Sequence, residues 1–150
     1  MLRDDINNAL KDAMKAKDAS RVSTLRLMNS AIKDKDIEAR GLGKPSLPDE
    51  DLLSLFQKMI KQRQESAEMY DKGGRQDLVA QERAEIEIIT AYLPKQMSED
   101  EMKAVIAAAV QETGAATIKD MGKVIGALKA KYTGQMDFAK ASGLVKGLLS

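Results

Sequence analysis

Apolar residues recur every three or four positions along most of this 150-residue chain, and no stretch alternates between apolar and polar residues. A repeat of three to four residues places apolar side chains on one face of an α-helix, whereas alternation would indicate strands. The pattern therefore predicts an all-α protein. Its breaks predict an N-terminal bundle of about four helices in residues 1–94 and a small three-helix domain in residues 98–150, on either side of the linker sequence LPKQM.

Turn-forming residues mark where the first four helices end. The segment GLGKPSLP separates helix 2 from helix 3, and a proline, Pro94, ends helix 4. The pair Gly73-Gly74 predicts a tight turn between helices 3 and 4, because glycine adopts the left-handed conformation that such turns require. We therefore expect helices 3 and 4 to form an antiparallel hairpin.

Arg63 interrupts the apolar stripe of this hairpin. It lies about ten residues before the glycine turn, so it should face Glu82 or Glu85 on the opposite helix. Carboxylates at such a position could act as acid or base groups in catalysis. Since no group that they could activate lies nearby in the sequence, the preferred interpretation is a structural ion pair that sets the register of the two helices.

The three C-terminal helices begin at recognisable capping residues. Ser98 and Glu101 have the spacing of a capping box for helix 5, and Thr117 and Asp137 are the predicted caps of helices 6 and 7. Helical phasing then predicts which side chains these last two helices bury. They are Ile118, Met121, Ile125, Leu128 and Tyr132 in helix 6, and Phe138, Ala141, Val145, Leu148 and Leu149 in helix 7.

Helices 6 and 7 each contain two glycines four residues apart. A glycine in a helix interior lowers helix stability by roughly 1 kcal/mol relative to alanine, so the presence of four such glycines requires an explanation. The phasing places Gly122 and Gly126 just beside the apolar face of helix 6, where close packing of helices 5 and 7 would explain them. Gly143 and Gly147 fall opposite the apolar face of helix 7, where packing within the domain offers no explanation.

Lysines surround these glycines. From residue 114 onward the chain has six lysines and only two acids, Asp120 and Asp137, although the net charge of the whole chain is only +1. Small residues bordered by lysines could accept an RNA backbone closely, with the lysines as point charges on phosphates. Two other interpretations stay open on the residues alone. The glycines could serve helix packing, or they could receive the helix of a partner protein.

Composition limits the chemistry of the chain. It has no histidine and no cysteine, which excludes histidine-based triads, thiolate nucleophiles and nitrogen or sulfur metal sites. No motif indicates a cofactor, and we predict no catalytic residue and no metal site. The five aromatic residues are too few for a base-stacking platform. No apolar run approaches a membrane span and no secretion signal is present, so we expect a cytoplasmic protein without a membrane partner.

Three stretches resemble one known family. The sequence GALKAKYTGQMD at 126–137 resembles the C-terminal tail motif of the GatB/YqeY family. The stretch at 58–101 and TLRLMNSAIKDKDIE at 24–38 resemble its stand-alone YqeY members, and together the likeness covers nearly the whole chain. The resemblance implies a helical bundle followed by a three-helix tail. In the B subunit of aspartyl/glutamyl-tRNA amidotransferase, that tail helps to hold tRNA during amidation.

The resemblance, together with the outward face of helix 7, suggests tRNA as a partner and a set of residues that would face it. These are Lys119, Gly122, Lys123, Gly126, Lys129, Lys131, Gly134, Lys140, Gly143 and Gly147. The chain lacks the catalytic cradle of the amidotransferase, so we expect a tRNA-associated module that is not an enzyme by itself. The alternatives are a protein–protein adaptor, and an accessory domain that works in trans with a carbon–nitrogen ligase using glutamine as amido donor, bound to amidotransferase subunits or another protein.

Overall fold

Seven α-helices and one short 3₁₀ turn make up the ordered elements of residues 1–149, the part of the chain that the computed structural model describes. No strand occurs in that range, which confirms the all-α prediction. The helices are α1 (Leu2–Lys15), α2 (Ala19–Gly41), α3 (Asp49–Lys72), α4 (Gln76–Thr90), α5 (Glu99–Thr113), α6 (Met121–Tyr132) and α7 (Phe138–Leu149), and the 3₁₀ turn is Ile118–Asp120. The chain divides into one unit of residues Met1–Leu93 and a second that begins at Pro94.

The N-terminal unit contains α1 to α4 around one hydrophobic core. Helix α1 packs on α2, α3 packs on α4 as an antiparallel hairpin, and α2 also contacts α4. The hairpin turn passes through Gly74, whose φ of +73° is the left-handed conformation that favours glycine. Burial of each large core side chain contributes roughly 1.5–3 kcal/mol. These side chains include Ile6, Leu25, Met28, Ile32, Leu52, Phe56, Met59 and Ile89.

The end of the loop between α2 and α3 is held by Asp36 on α2. Its Oδ1 accepts hydrogen bonds from Arg3 Nη2 at 2.6 Å and from the backbone N–H of Leu47 at 3.0 Å. Arg3 Nη2 also donates to the carbonyl of Leu47 at 2.8 Å. The hydrogen bonds from Arg3, supported by the one from Leu47, hold the pKa of Asp36 below its usual value. One carboxylate therefore joins α1, α2 and the loop.

The second unit buries the facing sides of α5, α6 and α7. The core residues are Met102, Ile106, Ala109, Val124, Leu128, Met136, Ala141, Val145 and Leu149. The predicted caps of α5 and α7 are in place. Ser98 Oγ accepts from the N–H of Glu101 at 3.2 Å, and Asp137 Oδ1 accepts from the N–H of Ala139 at 2.9 Å.

The 3₁₀ turn before α6 puts one predicted core residue out of phase with the helix, while the other four predicted residues lie in or against the core. Thr117 precedes the 3₁₀ turn rather than α6 itself, and Ile118 is 46% exposed instead of buried. Val124, which the phasing left out, is fully buried. A 3₁₀ turn advances about 120° per residue and an α-helix about 100°, so three residues shift the phase by about 60°. In α7 the prediction for Leu148 is also wrong, because the buried line follows Ala141, Val145 and Leu149 at intervals of four residues.

Candidate nucleic-acid interface

The glycines of α6 lie on the side of the helix opposite its core. Val124 and Leu128 are buried, and a residue two positions from Val124 lies 200° around the helix. Gly122 and Gly126 are accordingly exposed, and a Cβ added to either would meet no heavy atom within 4 Å. The phasing placed this pair beside the core because it left out Val124, whose burial moves the centre of the core-facing side away from both glycines. Close helix packing therefore does not explain either glycine.

Exposed lysines lie on both sides of this glycine pair. Lys123 is on one side and Lys129 on the other, and Lys119 precedes them in the 3₁₀ turn. We call Gly122, Gly126, Lys123 and Lys129 the α6 outward face. The ammonium of Lys129 lies 5.9 Å from the centroid of the Phe138 ring. Within residues 1–149, none of Lys119, Lys123 and Lys129 has a carboxylate oxygen within ion-pair distance.

The acid nearest to these lysines in sequence is engaged with the backbone. Asp120 Oδ2 accepts from the N–H of Ala116 at 3.0 Å and from that of Thr117 at 3.3 Å. These two hydrogen bonds lower the pKa of the Asp120 carboxyl, and the charge of Lys123 contributes less. Asp120 thus shapes the turn before α6, and its carboxylate stays ionised without forming an ion pair with a lysine.

The first turns of α6 and α7 contain lysine where α1, α3, α4 and α5 have acids. The first turns of α3 and α5 each have three acids, whereas those of α6 and α7 have none. Lys123 and Lys140 occupy the third helical position of α6 and α7. A cation near the positive end of a helix dipole costs about 0.3–1 kcal/mol. Both helices therefore combine glycine and N-terminal lysine, two features that lower helix stability.

The outward side of α7 has the predicted glycines but fewer unpaired cations. Gly143 and Gly147 are exposed on the side opposite Val145, as the phasing predicted. Lys140 Nζ lies 3.9 Å from Glu99 Oε2 on α5. Another candidate, Lys131 at the end of α6, lies 3.1 Å from Glu112 Oε2. Acids of α5 therefore partly neutralise both lysines, which leaves the α6 outward face with the stronger unpaired charge.

Gly134, the remaining candidate, belongs to the turn between α6 and α7. It is buried, and its φ of +82° is strained for any residue with a side chain. Its carbonyl accepts a hydrogen bond from Gln96 Nε2 at 2.5 Å. The structure thus gives Gly134 a role in the turn and places it away from the exposed surface that a ligand could contact.

Arg63 contacts a carboxylate of the opposite helix in the α3–α4 hairpin. Its Nε lies 2.8 Å from Glu85 Oε2, and its Nη1 donates to the carbonyl of Met59 at 3.1 Å. The side chains of Arg63 and Glu85 are only 15% and 14% exposed. Glu82 lies close by, where burial, and to a lesser extent the charge of Glu85, raises the pKa of its carboxyl. The arrangement gives the largely buried guanidinium of Arg63 a carboxylate and a carbonyl as partners between the two helices.

Residues 1–149 contain neither a cluster of metal-ligating side chains nor a helix that could span a membrane. In that range no three or more histidine, cysteine, aspartate or glutamate side chains are grouped so that they could hold a metal ion. None of the helices there is long and apolar enough to cross a membrane.

Comparison with known proteins matches the chain to one family and to named relatives. The sequence model of the Yqey-like protein family matches residues 3–149. The relatives include proteins named "Altered inheritance of mitochondria protein 41, mitochondrial". The one from Lachancea thermotolerans is 44% identical over 89 residues, which is 59% of this chain and 46% of that protein. The one from Eremothecium gossypii is 40% identical over 84 residues, 56% of this chain and 44% of that protein. The chain thus spans less than half the length of the curated relatives it matches.

The relatives' names overturn the expected location. Both are named as mitochondrial proteins, so the prediction of a cytoplasmic protein is wrong on this comparison. The prediction rested on the lack of a secretion signal and of cysteine. Neither absence distinguishes the cytoplasm from a compartment inside an organelle.

Proposed function

The chain belongs to the Yqey-like protein family, and from this we propose that it is a tRNA-associated helical module without catalytic activity of its own. The observation that carries the proposal is the α6 outward face, where two open glycines lie between unpaired lysines. The proposal is also supported by the resemblance of residues 126–137 to the tail that helps to hold tRNA in the amidotransferase B subunit.

The chemistry of this face suits a phosphate backbone. Without a Cβ, Gly122 and Gly126 let a ligand approach the backbone of α6 about one side-chain layer closer than other residues would. Lys123 and Lys129 can each neutralise a phosphate as a point charge. The face contains no aromatic side chain on which a base could stack. We therefore expect recognition through backbone and shape, with little discrimination among base sequences.

Salt dependence follows from the number of lysines. If Lys119, Lys123 and Lys129 each neutralise one phosphate, the affinity for a largely double-stranded RNA should fall roughly 30-fold or more between 50 and 200 mM salt. A contact between apolar helices would be nearly insensitive to the same change. A salt titration therefore separates this proposal from the binding of a partner helix at the same face.

The direct test is a mobility-shift titration of tRNA with a charge-reversed variant. Lys119→Glu, Lys123→Glu and Lys129→Glu together should weaken binding at least tenfold, because three favourable phosphate contacts become repulsive. The matched control is Lys11→Glu, Lys61→Glu and Arg83→Glu, which makes the same charge change at exposed positions of the N-terminal unit. The control should stay within about twofold of the unmodified protein. Equal loss in both variants, or no loss in the first, would contradict the proposal.

A further inference from the structure

A shallow groove follows the outward side of α2 in the N-terminal unit, and α3 forms its second wall beside residues 27–34. It consists of two adjoining depressions of about 360 Å³ and about 450 Å³, which share Leu27 and Ser30. Together they extend along α2 from Ala19 to Asp34. At 1.5 Å per residue this length is about 22 Å, the length of a helix of about 15 residues. We call this surface the α2–α3 groove.

The apolar lining of the α2–α3 groove consists mainly of one large exposed side chain, Leu27, and the accessible edges of residues that belong to the core or pack against it. Leu27 lies 200° around α2 from the buried Leu25, and it is 45% exposed. Its neighbours on the same side, Ser23 and Ser30, are small, so the surface is recessed on either side of the Leu27 side chain. Across the groove, α3 contributes Leu55 and Met59. An apolar side chain inserted here would cover Leu27 without displacing any part of the protein.

The charges around the groove favour an acidic ligand. Arg26 and Lys58 are exposed at its edge, and within residues 1–149 neither has a carboxylate within ion-pair distance. Arg63, at one end, is already paired with Glu85. Asp34 is the one acid that lines the two depressions. Two unpaired cations therefore face one acid beside an apolar floor.

We propose that the α2–α3 groove binds an acidic amphipathic helix of a partner protein. In this arrangement the apolar ridge of the partner helix lies on Leu27, Leu55 and Met59. Its carboxylates face Arg26 and Lys58, so the charges are complementary. A helix that presents side chains at spacings of three and four residues matches the length and the linear form of the surface.

The other possible occupants fit less well. In a second copy of this chain, the exposed apolar side chains beside acids are single ones, such as Met69 next to Glu68 and Ile37 next to Glu38. A single apolar side chain cannot cover a groove about 22 Å long. RNA would use the cations but would leave Leu27 and its apolar neighbours uncovered, and phosphate contact gains nothing from an apolar floor.

The proposal is tested with two synthetic peptides and the full chain, by fluorescence anisotropy. One is a 15-residue helix with leucines at three- and four-residue spacing and glutamates beside them, and the other has lysine in place of every glutamate. The acidic peptide should bind about tenfold more tightly than the basic one. Arg26→Glu with Lys58→Glu should reverse that order. Leu27→Asp, at a position that is 45% exposed and outside the core, should weaken binding of the acidic peptide about tenfold.

The matched control is Lys11→Glu with Arg83→Glu, two exposed positions of the same unit outside the groove, and it should leave both affinities within twofold. Equal affinity for the two peptides, no binding up to about 1 mM, or a preference that survives the charge reversal would overturn the proposal. A dimer in sedimentation that Arg26→Glu with Lys58→Glu dissociates would assign the groove to a second copy. If that variant lost tRNA affinity as strongly as the charge-reversed α6 variant, the groove would be an RNA surface. Either result would overturn the proposal.

Discussion

Several single residues of α6 lower the stability of that helix. Gly122 and Gly126 are helix-interior glycines with open space where a Cβ would be, and Lys123 lies at the positive end of the helix. Each of these choices costs a fraction of a kcal/mol to about 1 kcal/mol. Residues that lower stability without serving the core are typical of positions retained for binding. A substitution at one of them should therefore move stability and affinity in opposite directions.

Replacement of Gly126 tests whether stability and RNA affinity change in opposite directions. Gly126→Ala should raise the free energy of unfolding by about 0.5–1 kcal/mol, and Gly126→Gln should also raise it, because both residues favour helix. The affinity for tRNA should fall in the order glycine, alanine, glutamine, because the side chain occupies space that the RNA backbone would use. Urea denaturation and mobility-shift titration measure the two quantities. The control, Ala107→Gln on the exposed side of α5, should leave RNA affinity unchanged; rising affinity in the Gly126 series would refute the role of close approach.

The residues of the candidate interface could be predicted from sequence, but their grouping could not. Spacing alone picked out Gly143 and Gly147 as outward, and the structure agrees. It put Gly122 and Gly126 beside the core, because it did not assign Val124 to the buried side of α6. The groove beside Leu27 was missed altogether. It depends on how α2 and α3 pack, and periodicity describes each helix only by itself.

Elements of the N-terminal unit are joined by a few polar contacts that sequence periodicity did not predict. Asp36 joins α1, α2 and the loop that ends at Leu47, through Arg3 and a backbone N–H. The loop itself was predictable from its glycines and prolines, yet its attachment was not. Arg3 and Asp36 are 33 residues apart and lie outside any apolar pattern. The helix boundaries, by contrast, follow caps and turn residues such as Asp18, whose side chain accepts from the N–H of Arg21.

The attachment at Asp36 predicts a pH-dependent contribution to stability. Asp36→Asn should lower the free energy of unfolding at pH 7 by about 1–3 kcal/mol, because a charge-assisted hydrogen-bond network is lost. The pKa of Asp36 is lowered in the folded protein, so its stabilising effect is complete above the pKa of the unfolded chain. It is lost as the pH falls through the folded pKa.

Denaturation series at pH 7 and at progressively lower pH check this expectation. The difference between the unmodified protein and Asp36→Asn should narrow as the acid protonates. Asp12→Asn, at an exposed position of α1, serves as the control and should differ little from the unmodified protein at every pH. A difference for Asp36→Asn that stays constant with pH would mean that the ionised carboxylate is not what stabilises the loop.

The whole molecule consists of two units with separate cores. One core is formed by residues of α1 to α4, and the other by residues 97–149. The candidate RNA surface lies in the second unit, and the α2–α3 groove lies in the first. With both proposals, the second unit would bind RNA and the first unit would bind a protein partner. The division at Pro94 falls within the sequence LPKQM, where a proline interrupts the helical pattern.

A fragment of residues 94–150 tests how far the second unit is independent. It should form helices, since its core uses only its own side chains, and it should unfold cooperatively with low stability because so short a chain buries little surface. Its tRNA affinity should lie within about threefold of that of the full chain, because the α6 outward face is intact. Circular dichroism and mobility shift give the two readouts. A helical fragment without affinity would place the RNA contacts in the N-terminal unit instead.

The turn Ile118–Asp120 limits how the length of this chain can vary. Insertion of one residue between the turn and α6 rotates the helix by about 100° and puts Lys123 where Val124 is buried. An insertion among the exposed residues 43–46 changes only a loop that is already fixed at Leu47. Family members that keep an outward Gly122 and a buried Val124 are therefore expected to conserve the spacing from Thr117 to Leu128, while the loop before α3 is free to differ in length.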